Sequence, residues 1–327
     1  MTRSSDSRAG MPRRAFLTAL AGAAALGGSP AWAAFPEKPV RFIVPFGAGS
    51  GTDMVARILS PLLEASLGVP VVVENRPGAG GMLGSDMLSK AAPDGYTVGI
   101  TSSATHSASP FLYASVPYDP IKGFVHITNV VGSPMVLVVQ DGFATDFADF
   151  RAKARLGTLS YGYGSSTSQV AAGTFAGLAK IEALSVPYKS QPQAITDLIG
   201  GQVSFVFADV GVLASFLRAG RIKALAITSP ERSPRYPQVP TLDELGIKDF
   251  DLAIWVGLGL PAGTPRAIAE RWNTEILKEL ARADVKEKFN NINADVAPNG
   301  IEVHTAFVQR QYDAWGRRIK QAGLKPE

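Results

Sequence analysis

The sequence predicts an α/β protein of two lobes, each a mainly parallel sheet flanked by helices. Apolar runs of strand length alternate with segments of helical periodicity along most of the chain, which is typical of parallel β-α-β crossovers. A strand, a turn of small and hydroxyl-bearing residues and a helix start occur together twice, at 40–67 and 158–180. This repeat favours two lobes that face each other.

Residues 1–33 have the features of an export signal. Arg13 and Arg14 precede an apolar stretch at 15–28, and residues 31–33 form a small-x-small cleavage site. The paired arginines favour the twin-arginine route, with an ordinary export signal as the alternative. We therefore expect an exported protein with a cleavable signal.

Composition and charge exclude several classes of protein. The chain is 46% hydrophobic and 18% charged and has no cysteine, so a buried core rather than a disulfide framework must stabilise it. The net charge of +4 falls to +1 without residues 1–33, because they carry four arginines and one aspartate. A nearly neutral mature chain gives no electrostatic basis for binding nucleic acid or anionic lipid.

The first strand-turn-helix unit predicts an anion site. An apolar strand at 40–44 leads into a glycine-rich turn at 45–53, where unpaired N–H groups and the positive end of a helix dipole would converge on a carboxylate. Thr52 is the predicted N-cap, and for Asp53 a charge pair with Arg57 is favoured over ligand contact. The candidate ligand-binding residues here are Phe46, Gly47, Gly49, Ser50, Gly51, Thr52 and Asp53.

Nucleotide-binding motifs are absent from the sequence. The pattern G-x-G-x-x-G fails in this turn because Thr52 stands at its third glycine position, and G-x-x-x-x-G-K-[ST] does not occur. We expect no cofactor.

A second group of polar residues follows the third predicted strand. Strands at 69–73 and 97–101, with a helix at 82–91 between them, bring the loop after residue 101 beside the first turn. Hydroxyls there would donate to a ligand or cap the next element, and a serine hydrolase is the disfavoured alternative because G-x-S-x-G is absent. The candidates are Ser102, Ser103, Thr105 and His106. The spacing of the three histidines predicts no metal site.

The second lobe repeats this pattern. A strand at 158–161, a glycine and serine turn at 162–168 and a helix at 169–180 place Ser166 and Thr167 at a second anion-facing turn. Tyr188 and Asp209 fall at later strand ends, where site residues collect. For both of them a structural and a ligand-binding role stay open, and Asp209 would act on a carboxylate through water.

The C-terminal part of the chain predicts scaffold. A strand at 255–260 is followed by Thr264 as N-cap of a helix at 266–280, and a last helix is predicted at 301–322. These elements return to the first lobe. The predicted division is 34–137 plus 258–327 for lobe 1 and 138–257 for lobe 2.

An ordered series of motifs resembles one family over the chain from about residue 35 to its end. In addition to PFGAGSGTD at 45–53, the sequence contains VVENRPGAGG at 72–81, AAPDGYT at 91–97, VPYDP at 116–120, VPYK at 186–189, DLIGGQV at 197–203 and LPAGTP at 260–265. Together they are similar to the extracytoplasmic substrate-binding receptors of tripartite tricarboxylate transporters, the Bordetella uptake gene family.

The resemblance implies a type II-like periplasmic-binding-protein fold with the ligand cleft between the lobes. It implies a monomeric periplasmic receptor, not an enzyme, that closes on a small carboxylate and serves the membrane subunits of a tripartite tricarboxylate transporter. Sensing through a receptor kinase is the alternative. By the resemblance, the 45–53 turn and the 102–106 loop hold one carboxylate, while Ser166, Thr167 and the region of Asp209 form the opposite wall.

Two departures from the family pattern bear on the ligand rather than the fold. Val170 stands where a histidine is common, and residues 46–50 vary the usual turn. Phe46 and Tyr188 would suit an aromatic acid, and a dicarboxylate or tricarboxylate fits equally.

Overall fold

The computed structural model describes residues 35–248, 250, 254–321, 324 and 326, so the predicted export signal lies outside the described residues. Eleven strands are described, and they form two sheets. They are β1 (Val40–Val44), β2 (Val71–Asn75), β3 (Thr97–Ser102), β4 (Phe124–Ser133), β5 (Met135–Gln140), β6 (Leu159–Tyr163), β7 (Ala183–Pro187), β8 (Phe205–Asp209), β9 (Ile222–Ile227), β10 (Ile254–Pro261) and β11 (Asp295–Val296).

Helices flank both sheets, as the periodicity predicts. They are α1 (Gly51–Leu67), α2 (Met82–Ser89), α3 (Ser109–Leu112), α4 (Phe147–Ala154), α5 (Ser166–Ala179), α6 (Gln191–Ile199), α7 (Val210–Arg218), α8 (Arg266–Ala281), α9 (Ala283–Asn291) and α10 (Ile301–Gln321). No helix within the described part of the chain is both long and apolar enough to cross a bilayer.

The two-lobed α/β fold is confirmed, but each sheet is mixed rather than mainly parallel. The first sheet has the order β11-β4-β10-β3-β1-β2, and the second has the order β7-β6-β8-β5-β9. Parallel pairs join β1 to β2 and β3, and β6 to β7 and β8. Strands β10 and β5 are inserted antiparallel to their neighbours in the two sheets.

The inserted strands lie close to the points where the chain changes sheets. The chain leaves the first sheet after β4, enters the second at β5 across a single residue, Pro134, and returns at β10. The predicted lobe boundaries at 137/138 and 257/258 fall within β5 and β10, and that division stays a proposal. The chain therefore crosses between the sheets at Pro134, between β4 and β5, and again between β9 and β10.

Each sheet has its own hydrophobic core. Phe42 and Trp272 lie in the first core, and the Trp272 indole donates to the Gly95 carbonyl at 3.1 Å. Phe175 and Phe207 lie in the second core together with Trp315, which is fully buried. Because α10 begins against the first core and places Trp315 in the second, it spans both lobes rather than returning to the first alone.

The start of α8 corrects one predicted cap. The helix begins at Arg266 with Pro265 at the N-cap position. The Thr264 hydroxyl donates to the Pro261 carbonyl at 2.8 Å instead of capping the helix. The Thr264 hydroxyl thus stabilises the preceding turn and not the start of the helix.

Candidate functional site

The first anion-facing turn is closed by a serine cap. Ser50 Oγ accepts from the Asp53 N–H at 3.3 Å and lies 3.1 Å from Thr52 Oγ1. The predicted cap at Thr52 is therefore wrong by two residues. Ser50 has extended backbone angles and α1 begins at Gly51, so Thr52 lies in the first helical turn. Gly49 takes a positive φ of 77°, which requires glycine at this bend.

Asp53 holds the shape of this turn. Its carboxylate accepts from Gly49 N at 2.8 Å, Arg57 Nε at 2.9 Å and Asn75 Nδ2 at 2.9 Å, which confirms the predicted charge pair. Burial opposes ionisation, but the guanidinium, the main-chain N–H and the amide outweigh it and hold the pKa of Asp53 below its usual range. Asp53 is thus an internal counter-ion that lies outside the cavity lining.

The second turn repeats this cap. Ser165 Oγ accepts from Ser168 N at 3.2 Å and lies 3.0 Å from Thr167 Oγ1. Helix α5 begins at Ser166, three residues before the predicted start, because Ser165 rather than a later residue caps it. Both lobes therefore present the N-terminus of a helix with an extended, hydroxyl-bearing cap.

A cavity lies between the two helix starts and is called here the inner cavity. Neither arginine nor lysine is among the described residues that line it, and its one carboxylate belongs to Asp209. Its predicted lining residues are Phe46, Ser50, Gly51, Thr52, Ser102, Ser103, Thr167 and Asp209. Those that sequence reasoning missed are Ala104, Gly164, Ser165, Gln191, Ile254, Trp255 and Val256.

The two lobes touch beside this cavity. A Cβ atom on Gly51 would lie 2.5 Å from Asp209 Oδ2, and one on Gly47 would lie 3.2 Å from the Ser190 Cβ. Gly51 and Gly47 belong to the first turn, whereas Asp209 and Ser190 belong to the second lobe. The absence of side chains at these glycines therefore permits the lobes to approach.

Asp209 and Gln191 form a reciprocal pair. The Gln191 amide donates to Asp209 Oδ1 at 2.9 Å, and the Asp209 N–H donates to Gln191 Oε1 at 3.1 Å. Burial raises the pKa of Asp209 to about 6, although the Gln191 amide favours the ionised form. Gln191 is the first residue of α6 and closely follows the end of β7. This position after a strand end could have identified it as a site residue from the sequence.

The loop after β3 contributes only its first residues to the cavity. Ser102 and Ser103 line it, and Ser103 Oγ accepts from the Trp255 N–H at 3.3 Å. Thr105 Oγ1 lies 3.2 Å from Ser102 Oγ and 2.8 Å from His106 Nδ1. Thr105 and His106 thus support the loop from behind. The histidine bonds to a threonine, so this loop does not form the serine–histidine pair of a hydrolase.

The three histidines of the chain form one buried cluster behind the cavity. The ring centroids of His106 and His126 are 5.6 Å apart, and those of His126 and His304 are 6.0 Å apart. Burial lowers the pKa of His126 to about 4 and that of His304 to about 3, and it holds the pKa of His106 well below its usual range. No group of side chains suited to a metal ion occurs among the residues described.

Four other predicted site residues lie outside the inner cavity. Gly47 lies against the Ser190 side chain. Ser166 Oγ is 2.7 Å from Ser109 Oγ, so it joins α5 to α3. The Gly49 N–H is taken by Asp53. Tyr188 borders a second chamber, which also contacts Phe46 and is called here the outer chamber.

Comparison with known proteins identifies the family. Residues 55–324 match the model of the "Tripartite tricarboxylate transporter family receptor". A relative in Pseudomonas sp. strain P51, a UPF0065 protein in the tcbD-tcbE intergenic region, is 36% identical over 298 residues, which cover 89% of this chain and 88% of the relative.

Solved structures agree with this match. The periplasmic binding protein BugD is 31% identical with a TM-score of 0.86, over 90% of this chain and all of its own. Rpa4515 of R. palustris with adipate has a TM-score of 0.87 at 29% identity over 90% of this chain and all of its own. MatC of Rhodopseudomonas palustris with bound malate has a TM-score of 0.81 at 29% identity over 87% of this chain and all of its own. The chain therefore belongs to the tripartite tricarboxylate transporter receptor family and has the two-sheet fold of its periplasmic binding proteins.

Proposed function

We propose that this protein captures a small carboxylate between its lobes in the periplasm and delivers it to the membrane subunits of a tripartite tricarboxylate transporter. The observation that carries this proposal is the pair of serine-capped helix starts that face one cavity without a lysine or arginine in the described lining. The complexes of Rpa4515 with adipate and MatC with malate support a carboxylate as the ligand.

Helix N-termini suit this task physically. The first N–H groups of α1 and α5 have no partner within their helices, and the helix dipoles favour negative charge there. Hydroxyls of Thr52 and Thr167 add further donors on opposite walls. Three charge-assisted hydrogen bonds of roughly 1.5–3 kcal/mol each, with about 1 kcal/mol from a dipole, supply on the order of 5–10 kcal/mol before ordering costs. Micromolar affinity corresponds to about 8 kcal/mol.

Closure follows from where these donors lie. The α1 donors belong to the first lobe and the α5 donors to the second, so a bound carboxylate contacts both sets only when the lobes are together. A ligand shifts the hinge equilibrium by its difference in affinity between the open and closed states. The closed, loaded receptor is then the form that the membrane subunits recognise.

A screen of carboxylic acids by thermal shift and calorimetry tests the binding. An acid present at a hundred times its dissociation constant should stabilise the protein by about 2.7 kcal/mol. Gly51→Ala should weaken binding by about tenfold to a hundredfold, because overpacking against Asp209 costs on the order of 1–3 kcal/mol. Gly177→Ala is the matched control, since a Cβ there meets no atom within 4 Å. Equal binding by both variants would contradict closure on this cavity.

Delivery is tested in cells. A deletion strain should lose uptake of the acid identified in the screen, and unimpaired uptake would argue for a sensing role instead. Export by the segment 1–33 is tested by fractionation: replacement of Arg13 and Arg14 by lysine should keep the protein out of the periplasm if the twin-arginine route is used.

A further inference from the structure

The outer chamber is larger than the inner cavity and differs from it in chemistry. Phe46 borders both. Hydroxyls and apolar side chains both line the inner cavity, with Trp255 among the latter. The outer chamber is lined by the glycine-rich turn at 78–81 and by four aromatic residues, namely Phe46, Tyr113, Tyr163 and Tyr188.

Two of these rings pack against the glycine-rich turn that also lines the chamber. A Cβ atom on Gly81 would lie 2.7 Å from Phe46 Cζ, and one on Gly80 would lie 2.6 Å from the Tyr113 hydroxyl. The main chain of this glycine turn therefore lies directly against both side chains. Both glycines have positive φ, so side chains are disfavoured there on conformational grounds as well.

The wall from the second lobe is fixed in a similar way. The Tyr188 hydroxyl donates to Asp197 Oδ2 at 2.9 Å. The Tyr188 ring crosses Gly162, where a Cβ atom would lie 3.1 Å from Cε2. A ring positioned by contacts on its far side offers its remaining face at little further cost in conformational entropy.

Lys189 is the cationic residue in the described lining of the outer chamber. No carboxylate in the described ranges lies within 4.0 Å of its ammonium group. The lysine is exposed, and its main-chain N–H donates to Gln193. Its charge is therefore available to an anionic group in the chamber.

From these features we infer that the preferred ligand is an aromatic diacid, with one carboxylate in the inner cavity, its ring among the aromatic side chains of the outer chamber and its second acidic group at Lys189. This inference rests on the proposed function, since the first carboxylate uses the helix starts. An acid without a ring would leave the aromatic walls in contact with water.

Four acids separate the contributions by calorimetry. Benzene-1,4-dicarboxylate carries both features, benzoate lacks the second acid, trans-cyclohexane-1,4-dicarboxylate lacks the aromatic ring, and adipate lacks a ring altogether. The aromatic diacid should bind tightest. Loss of the aromatic ring should weaken binding about threefold to tenfold, as expected for one or two ring contacts. Loss of the second acid should weaken it about tenfold.

Two variants assign these effects to residues. Lys189→Gln should weaken benzene-1,4-dicarboxylate about tenfold and leave benzoate unchanged. Lys286→Gln, an exposed site on α9, is the charge-matched control and should change neither. Tyr188→Leu should weaken both aromatic acids about threefold to tenfold and leave adipate unchanged, while Tyr188→Phe keeps the ring and most of the affinity.

The outcomes distinguish this inference from the proposed function. If adipate binds at least as tightly as the aromatic diacid and Gly51→Ala weakens both, the receptor function stands and the inference is overturned. If Lys189→Gln and Lys286→Gln bind the diacid equally well, the site of the second acid is overturned. If none of the four acids binds but another acid in the thermal-shift screen does, the inference alone is overturned. If no carboxylic acid in the screen binds, or if Gly51→Ala has no effect on binding, the receptor function and the inference both fail.

Discussion

The two helix starts that face the inner cavity have the same cap but different counter-charges. In both, a serine caps the helix and lies about 3 Å from the hydroxyl of a threonine two residues later. The residue after that threonine is Asp53 in α1 and Ser168 in α5. Asp53 is an ionised side chain held by three donors, whereas Ser168 Oγ donates to the Phe207 carbonyl.

Because of this difference, the two turns should contribute differently to carboxylate binding. In the first turn the carboxylate of Asp53 fixes the glycine-rich loop but offsets part of the positive helix end. In the second turn a neutral hydroxyl ties the helix to β8 and leaves the dipole uncompensated. We therefore expect the first turn to supply shape and the second to supply more of the attraction for a carboxylate.

The largest expected effect comes from a second difference between the lobes. All three histidines pack in one cluster with β4, β10 and α10, which places them beside the first sheet. Their folded-state pKa values lie below the ordinary value of 6.5, so stability is present above pH 6.5 and is lost as pH falls. Between pH 7 and 5, His126 and His304 should each remove about 2 kcal/mol from the free energy of unfolding. Urea denaturation at both pH values measures this loss. His304→Leu should reduce it by about 2 kcal/mol, and an unchanged pH dependence would contradict the buried neutral state.

The next effect compares the two counter-charges directly. Asp53→Asn should lower the free energy of unfolding by about 2–3 kcal/mol, because it weakens charge-assisted bonds to Gly49 and Arg57. Ser168→Ala should lower it by about 1 kcal/mol, because one neutral hydrogen bond is lost. Urea denaturation of the ligand-free variants checks both values. Equal losses would show that the carboxylate of the first turn has no special structural role.

The third effect uses the opposite pKa shifts of the two aspartates. Asp53 is ionised near neutral pH, whereas Asp209 loses its proton near pH 6 and then repels a carboxylate in the same cavity. Affinity should therefore fall as pH rises through about 6, by at most about tenfold per pH unit. Calorimetry from pH 5 to 8 measures the slope. Asp209→Asn should remove this slope and Asp53→Asn should retain it. The reverse pattern would show that Asp53, in the first lobe, causes the pH dependence.

The smallest effect tests the similarity of the two caps. Thr52→Val and Thr167→Val each remove one hydroxyl from matched positions on opposite walls. Each should weaken carboxylate binding roughly twofold to tenfold, since a hydrogen bond is worth about 0.5–1.5 kcal/mol. Thr174→Val on α5, outside the cavity lining, is the control and should bind normally. A loss confined to one lobe would break the similarity between the caps.

Local patterns predicted the helix starts and strands that build the site, within a few residues. Thr52 was chosen as a cap where Ser50 serves, because both hydroxyls suit the role and only the backbone angles decide between them. Gln191 was missed because its partner Asp209 lies 18 residues later in the chain, at the end of β8. The histidine cluster was missed because His304 reaches His126 only through the packing of α10.

By itself the sequence determined the α/β character, the two glycine and serine turns and the family, because strand periodicity, helix capping and turn chemistry depend on residues close together in the chain. Tertiary structure decided the mixed sheets, the approach of Gly51 to Asp209 and the shift of the Asp209 pKa. These properties depend on pairing and desolvation between segments that are distant in the chain, with more than 150 residues between the paired residues of β3 and β10. Distances and burial of that kind arise only when the whole chain is folded.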